Sequence, residues 1–495
     1  MKVLLLYPEF PDTFWSFRHA LPFIGKRSAY PPLGLLTVSA LLPRHWRRKL
    51  VDLNVETLRD EQLAWADVAF LSAMLVQAPS LSAILERCRK AGLRTVVGGP
   101  IASTEHPSLR NADHVVRGEA EKVTAALAAD LEAGKARPRY EAEGWADMTA
   151  VPPPELRLAR MRQYSAMPVQ YSRGCPYSCE FCDIIELFGR RPRTKTPEQV
   201  LEEFERLYRM GWRGSVFIVD DNFVGNRQAI KILLPRLAHW MRARGRPFSL
   251  FTQASVNLAD DDELLGMMRA AGFNKVFVGI ETPVSECHRA AGKVQNVNAD
   301  LLGCVRRIQE FGMEVMGGFI VGFDQDSPDV FERQIAFIRE AAIPVSMVGL
   351  LTALPNTQLW RRLSGEGRIL RDSMGNNTEA LLNFIPRMNP DALLAGYRRV
   401  LASIYSPSEY FERAHAMLFR LGAGAKTRRV LSDYVAVCRS FVRQGVVARY
   451  RVAYWRFLGK TLLRTPRHLG LAVTLAIMGH HFFILTRRMD SESPR

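Results

Sequence analysis

The segment Gln170-Tyr-Ser-Arg-Gly-Cys175-Pro-Tyr-Ser-Cys179-Glu-Phe-Cys182 sets three cysteines at C-x3-C-x2-C spacing directly after an apolar strand. Three thiolates on one tight loop can ligate three irons of a [4Fe-4S] cube. The fourth iron then stays open to a small molecule, whereas clusters that only carry electrons normally take four protein ligands. A zinc centre would want a fourth Cys or His in a similar pair, and none follows at finger-like spacing. The other four cysteines, Cys88, Cys287, Cys304 and Cys438, are scattered singly.

The elements that must position this loop begin upstream of it. Lys2–Tyr7, Lys49–Leu53, Val68–Ser72, Arg94–Val97 and His114–Arg117 read as strands, with Ser80–Ala91 as a crossover helix. Strand–helix alternation with continuous apolar strands predicts an α/β fold with a parallel, doubly wound sheet. Ligands of such sheets sit at the carboxyl ends of the strands. Those ends carry Pro8-Glu9, Ser72-Ala73-Met74, Gly98-Gly99-Pro100 and Arg117-Gly118-Glu119, whose glycines let a bulky ligand approach the backbone.

Pro152-Pro153-Pro154 marks an extended spacer. Beyond it the alternation resumes with Val169–Ser172, Ser215–Val219, Ser249–Thr252, Lys275–Ile280, Val315–Val321 and Met347–Leu351. Thr196-Pro197-Glu198-Gln199 is a capping box that opens the first intervening helix. Six such strands predict a partial α/β barrel with chemistry at the strands' carboxyl ends, and the cysteine loop follows the first of them. The spacing divides the chain into 1–135, a linker 136–164, a barrel 165–355 and a helical region 356–495.

Arg190-Arg191-Pro-Arg193-Thr-Lys195 reads either as an anion-binding patch or as a solvated loop. Asp220-Asp221-Asn222 closes the second barrel strand, and capping a turn is its ordinary alternative. Glu281 ends the fourth strand and could equally be a solvated loop end; Phe181 could be ordinary core.

Length alone predicts two or three domains, and 47% hydrophobic with 24% charged residues predicts packed cores. Seven cysteines, three of them clustered, argue against a secreted disulfide framework. The N-terminal apolar run is too short for a signal peptide, so a cytoplasmic location is expected. The net charge of +17 is concentrated at one end: from residue 401 onward sixteen Lys/Arg stand against five Asp/Glu. Leu469–Leu485 is a mostly apolar run of 17 residues interrupted by His480-His481. It reads as a helix buried on the barrel, a peripheral membrane element or a span, although a span usually needs about 20 apolar residues. No recognisable RNA-binding module follows the barrel, so nucleic acid is not expected as a partner.

The cysteine loop resembles the signature of the radical S-adenosylmethionine (SAM) superfamily over roughly residues 165–355. That resemblance implies a [4Fe-4S] cluster on Cys175, Cys179 and Cys182. It also implies SAM contacts from Phe181, Asp220, Asp221, Gln253, Ser255, Glu281 and Gly318. The family's common Gly-Gly-Glu is missing after the second strand. The N-terminal sheet resembles cobalamin-binding domains through Pro32-Leu33-Gly34, Ser72-Ala73-Met74 and Gly98-Gly99. Gly34, Ser72, Met74, Gly98, Gly99, Gly118 and Glu119 are the implied cobalamin contacts. The Asp-x-His-x-x-Gly motif that supplies a cobalt ligand is absent.

Taken together, the order of domains resembles the cobalamin-dependent radical SAM methyltransferases. Tyr7–Trp15, Gly189–Arg193 and Met316–Phe323 look like the branch of hopanoid C-methylases and bacteriochlorophyll side-chain methylases. The resemblance implies hydrogen abstraction by a SAM-derived radical, methyl delivery from cobalamin, and an electron donor such as a flavodoxin or ferredoxin. The expected substrate is hydrophobic and polycyclic, a hopanoid ahead of a chlorin, with ring formation or oxidation as the non-methylating alternative. Contact with a membrane through the basic C-terminal region is a further expectation.

Overall fold

Four consecutive residues of the first strand, Val3 to Leu6, have no exposed surface, which is why that strand is an unbroken apolar run rather than an alternating one. In the computed structural model, which describes residues 1–376, 380–422 and 431–491, six parallel strands form the N-terminal sheet. They are β1 (Lys2–Tyr7), β2 (Arg47–Asp52), β3 (Val68–Ser72), β4 (Arg94–Gly98), β5 (His114–Arg117) and β6 (Arg139–Glu141). Their spatial order is β2-β1-β3-β4-β5-β6. The winding reverses between β1 and β3, so the ligand crevice of such a sheet lies where the loops after those two strands part.

β6 lies inside the stretch read as linker. It is three residues long and buries only Tyr140, so it carries almost no hydrophobic pattern. The proline run packs back on the sheet domain: Ser39 donates to Glu155 at 2.5 Å, and Arg48 pairs with the same carboxylate at 3.5 Å.

The second sheet joins β7 (Ala166–Val169), β10 (Ser215–Ile218), β11 (Ser249–Ala254), β12 (Phe273–Glu281), β13 (Glu314–Val321) and β14 (Ser346–Leu350) in sequence order, all parallel. A separate two-stranded antiparallel ribbon, β8 (Ser172–Arg173) with β9 (Arg193–Thr194), brackets the cysteine loop. The outward residues of the barrel strands, such as Val216, Ile218, Val276 and Val278, are wholly covered by the intervening helices. The helix Pro197–Arg209 starts as its capping box predicts: Thr196 accepts from the Gln199 amide at 3.3 Å, and the Gln199 side chain accepts from Thr196 N at 2.8 Å. Such a cap contributes about 1 kcal/mol.

Beyond the barrel the chain is helical, with Pro390–Ile404, Pro407–Arg420, Leu431–Ser440, Arg451–Arg464 and Leu469–Ser491 as the principal helices. A wide helical turn, Phe441–Val447, joins two of them. By length and composition the last helix could cross a membrane. Here Ala472, Leu475, Ala476 and Phe482 are buried against the other helices. A side chain at Gly479 would stand 2.6 Å from the Tyr410 ring, so glycine is what lets the helices close. Phe14, from the loop after β1, stacks on Phe482 at 4.5 Å, which ties the last helix to the N-terminal region.

Candidate functional site

The backbone leaves the barrel sheet after Val169 because a buried carboxylate captures it. Asp220, at the end of β10, accepts from Tyr171 N at 2.8 Å, Ser172 N at 2.9 Å and Ser172 Oγ at 2.6 Å. Asp221 accepts from Gly174 N at 3.2 Å. Burial pushes the Asp220 carboxyl up to about 6 and that of Asp221 up to about 7. These two residues, read from the sequence as facing SAM, hold the approach to Cys175. Gly174 has φ +93°, and a Cβ there would stand 2.8 and 2.9 Å from the carbonyls of Arg191 and Gly189. Only glycine fits this turn.

The three cysteines sit in a polar shell. The Asn222 amide lies 3.9 Å from Cys175 Sγ and donates to Ser255 Oγ at 3.2 Å. Ser255 donates to Asn257 at 2.6 Å, and Asn257 donates to the Tyr177 hydroxyl at 2.8 Å, which closes a ring back to the cysteine loop. The Gln295 amide lies 3.8 Å from Cys179 Sγ, while its Oε1 is buried and unpaired among the described residues. Lys293, buried, pairs with Glu281, and Glu281 adopts φ +65°, a left-handed conformation that non-glycine residues rarely take. Burial pulls the Lys293 ammonium down, but Glu281 and Cys179 more than offset it, so its affinity for the proton is raised. The same ammonium lies 6.0 Å from the Phe181 ring, which meets Phe323 edge-on.

Burial raises the pKa of all three thiols, so as free thiols they would stay protonated; iron ligation is what would hold them as thiolates. In a cube each of three irons takes its own thiolate, and three cysteines on one loop can supply them. Amide donors beside two sulfurs and an ammonium between the loop and Glu281 suit an anionic cluster. The donor set fits that cofactor.

The inward face of the barrel is aromatic. Phe217 and Phe251 stack at 4.7 Å, and Tyr30 meets Phe217 at 5.5 Å. Trp15 packs edge-on against Phe277 at 5.3 Å and sets its indole N–H 2.9 Å from Met347 Sδ. Gly318 lies on the same face; a Cβ there would meet the Phe277 ring at 2.7 Å. Gln253 pairs in register with Phe277 one strand over. Tyr30 and Trp15 come from the long loop after β1, so the N-terminal sheet's ligand edge and the barrel's interior are linked by one segment.

At that edge, Ser72, Met74, Gly98 and Gly99 are brought together: Ala73 N donates to Gly98 O at 3.4 Å, and Ile101 N donates to Ala73 O at 3.1 Å. Met74 is half exposed above them. Gly99, at φ +84°, would put a Cβ 2.5 Å from Ser72 Oγ, so it lets two strand ends touch. Gly34 has open space around it, and Gly118 backs onto Ala142. This cradle of glycines and small residues at a topological switch point fits a bulky, flat ligand.

Glu119 differs from these. Its carboxylate is buried and occupied by Arg193 at 2.9 Å, Arg173 at 3.1 Å and the backbone amide of Ala146. Burial pushes the Glu119 carboxyl up, but these donors win and hold it below its ordinary range. Arg173 also pairs with Glu121 at 2.7 Å. The basic patch is divided accordingly. Arg193 and Lys195 are internal, the latter paired with buried Glu203, while Arg190 and Arg191 are exposed. Spacing gave no signal for Lys293, Gln295 or Asn257; they meet the loop only in three dimensions.

A sheet with a glycine-rich carboxyl edge is joined here to a partial barrel whose first loop carries three cysteines, the arrangement of a cofactor-dependent enzyme. Family models match accordingly: a B12 binding domain over residues 27–128, the radical SAM superfamily over 169–338, and a domain of unknown function, DUF4070, over 357–494. The chain is 39% identical to an uncharacterized methyltransferase, sll1242, of Synechocystis over 97% of this chain and 91% of the relative. It is 36% identical to a hopanoid C-2 methylase of Rhodopseudomonas palustris over 98% and 94%. Among solved structures it is similar to the radical SAM methyltransferase TsrM of Kitasatospora setae with cobalamin and a [4Fe-4S] cluster bound. There the TM-score is 0.64 at 14% identity, covering 93% of this chain and 98% of that one. The chain belongs to the cobalamin-dependent radical SAM methyltransferases. Its cofactors are a [4Fe-4S] cluster, SAM and cobalamin.

Proposed function

We propose that this enzyme transfers a methyl group to an unactivated carbon of a hydrophobic polycyclic lipid, a hopanoid. The observation that carries this reading is the likeness to a hopanoid C-2 methylase along almost the whole of both chains. The aromatic inner face of the barrel supports it, because an apolar polycycle gains from packing on Phe217, Phe251, Phe277 and Trp15.

In this reading residues 1–135 hold cobalamin, 136–164 link, 165–355 hold the cluster and SAM, and 356–495 form the helical domain. Cys175, Cys179 and Cys182 would ligate the cluster. Phe181, Gln253, Ser255, Glu281 and Gly318 would surround SAM, and Gly34, Ser72, Met74, Gly98, Gly99 and Gly118 would line the cobalamin slot. When bound, these groups supply hydrogen-atom abstraction and methyl delivery, chemistry that no side chain can perform on an unactivated C–H bond.

The residues themselves position and exclude. Asp220 and Asp221 fix the cysteine loop, and Lys293 with Glu281 sets a charged pair beside Phe181. The aromatic lining keeps water from the reacting carbon, and the Trp15 segment brings the two ligand edges together. No general base is required. Anaerobic turnover with methyl-labelled SAM and a lipid extract tests the assignment: a pentacyclic lipid gaining one labelled methyl supports it, and label appearing only in tetrapyrroles overturns it.

A further inference from the structure

The helix Arg451–Arg464 is apolar on its buried face and carries large apolar residues around Arg456 on the opposite one. One face, Tyr454, Phe457, Leu458 and Thr461, is buried against the other helices of its domain. The opposite face exposes Val452 at 68%, Trp455 at 46% and Leu463 at 85%. The wide turn before it continues this surface with Val446 at 66% and Val447 at 72% exposed. Trp455 seams the two segments: its indole N–H donates to Gly445 O at 2.9 Å, and its ring lies 5.3 Å from Phe441. A helix that also carries large apolar residues outward needs an apolar medium on that side.

Charge says which medium. Between residues 434 and 489 there are ten Lys/Arg and no Asp or Glu. Arg449, Arg451, Arg456 and Arg464 are exposed, and among the described residues none of them forms an ion pair. Exposed apolar residues ringed by unpaired arginines, with a tryptophan at the seam, match the boundary of an anionic bilayer. There the side chains enter the acyl region and the cations meet phosphates.

We propose that Phe441–Arg464 is a membrane-docking surface specific for anionic lipid. It sits where a lipid could be handed inward. Arg439 donates to Pro22 O at 2.9 Å and Arg443 lies over Phe23 at 5.3 Å, so the helical pair grips the loop that carries Trp15 and Tyr30 into the barrel. Docking stands independently of the substrate assigned above.

Co-sedimentation of the full-length, cluster-loaded protein tests it. Vesicles of phosphatidylcholine alone are compared with vesicles that also contain phosphatidylglycerol. The expected result is sedimentation with the anionic vesicles, at least about tenfold over neutral ones and lost at high salt, each arginine contributing roughly fivefold. Val447→Glu/Leu463→Glu should abolish binding and Arg449→Glu/Arg451→Glu should weaken it. Both variants should keep SAM cleavage to deoxyadenosine, which shows that they are folded. Equal binding to both vesicle types, no binding to either, or binding unchanged in the valine and leucine variant would overturn the proposal. So would self-association through this face, or RNA displacing the vesicles.

Discussion

Glu119 and Arg173 lie 54 residues apart in sequence and meet at 3.1 Å in the interior, one from the loop closing β5 of the N-terminal sheet, the other two residues before Cys175. Arg193, on the partner strand of the ribbon, holds the same carboxylate. The carboxyl edge of one sheet is thereby fixed to both strands that bracket the cysteine loop of the other. In the proposed reaction two cofactors act on one carbon, so the separation between their sites is a catalytic quantity, and this ion triad is one of the contacts that hold it.

Glu119→Gln should therefore uncouple the two halves. Removing the shared carboxylate leaves buried Arg193 without its counter-charge, while Arg173 keeps Glu121, at a cost on the order of 3 kcal/mol. The expected outcome is deoxyadenosine formation close to wild type with methylated product per deoxyadenosine reduced at least about tenfold. Equal losses of both would mean that the triad serves stability alone.

Cys175→Ala, Cys179→Ala and Cys182→Ala should each reduce bound iron and sulfide and remove deoxyadenosine formation altogether. Iron analysis with low-temperature electron paramagnetic resonance checks this. A variant that retains a full cluster would show that its cysteine is not a ligand.

Gly318→Ala places a methyl group 2.7 Å from the Phe277 ring. Because Phe277 is itself held by Trp15, the ring must shift into the space inside the barrel. The substrate KM should rise several-fold, with the protein's melting temperature lowered only slightly. An unchanged KM would place the substrate elsewhere.

His481 is wholly buried, its Nε2 against the carbonyls of Thr13 and Phe14, with His19 beside it and Asp12 and Arg488 close by. Burial lowers its pKa from 6.5 to about 4, with the neighbouring His19 acting in the same direction. The unfolded chain thus binds a proton between those values that the folded chain refuses. Stability is full above the unfolded pKa and falls as pH drops, by roughly 2 kcal/mol at pH 5. Thermal melts between pH 7 and 5 should show this loss, and His481→Asn should reduce it by about half, because burial lowers His480 to about 4 as well. A slope unchanged in the variant would assign the effect to other groups.

Both sheets were legible because strands such as Val3–Leu6 are apolar runs and the Thr196 capping box marks the first barrel helix, although the first barrel strand lies at Ala166–Val169 and not at Val169–Ser172. The cysteine loop was legible because its chemistry is local. What escaped was non-local. β6 buries one tyrosine and leaves no pattern. The ribbon of β8 and β9 exists because Asp220, 48 residues on, draws the backbone of Ser172 out of the sheet. Glu119 sits where a cofactor contact is expected, and two arginines far along the chain reach it. Leu469–Ser491 has the length of a span, and its burial depends on Tyr410 finding Gly479.

The most direct measurement follows methyl-labelled SAM in anaerobic turnovers of the reconstituted enzyme with cobalamin, a reductant and purified hopanoid, with Cys175→Ala as control. The expected result is one labelled methyl in the hopanoid, with deoxyadenosine and S-adenosylhomocysteine formed alongside it, and none of these in the control. Deoxyadenosine formed without any methylated hopanoid would contradict it.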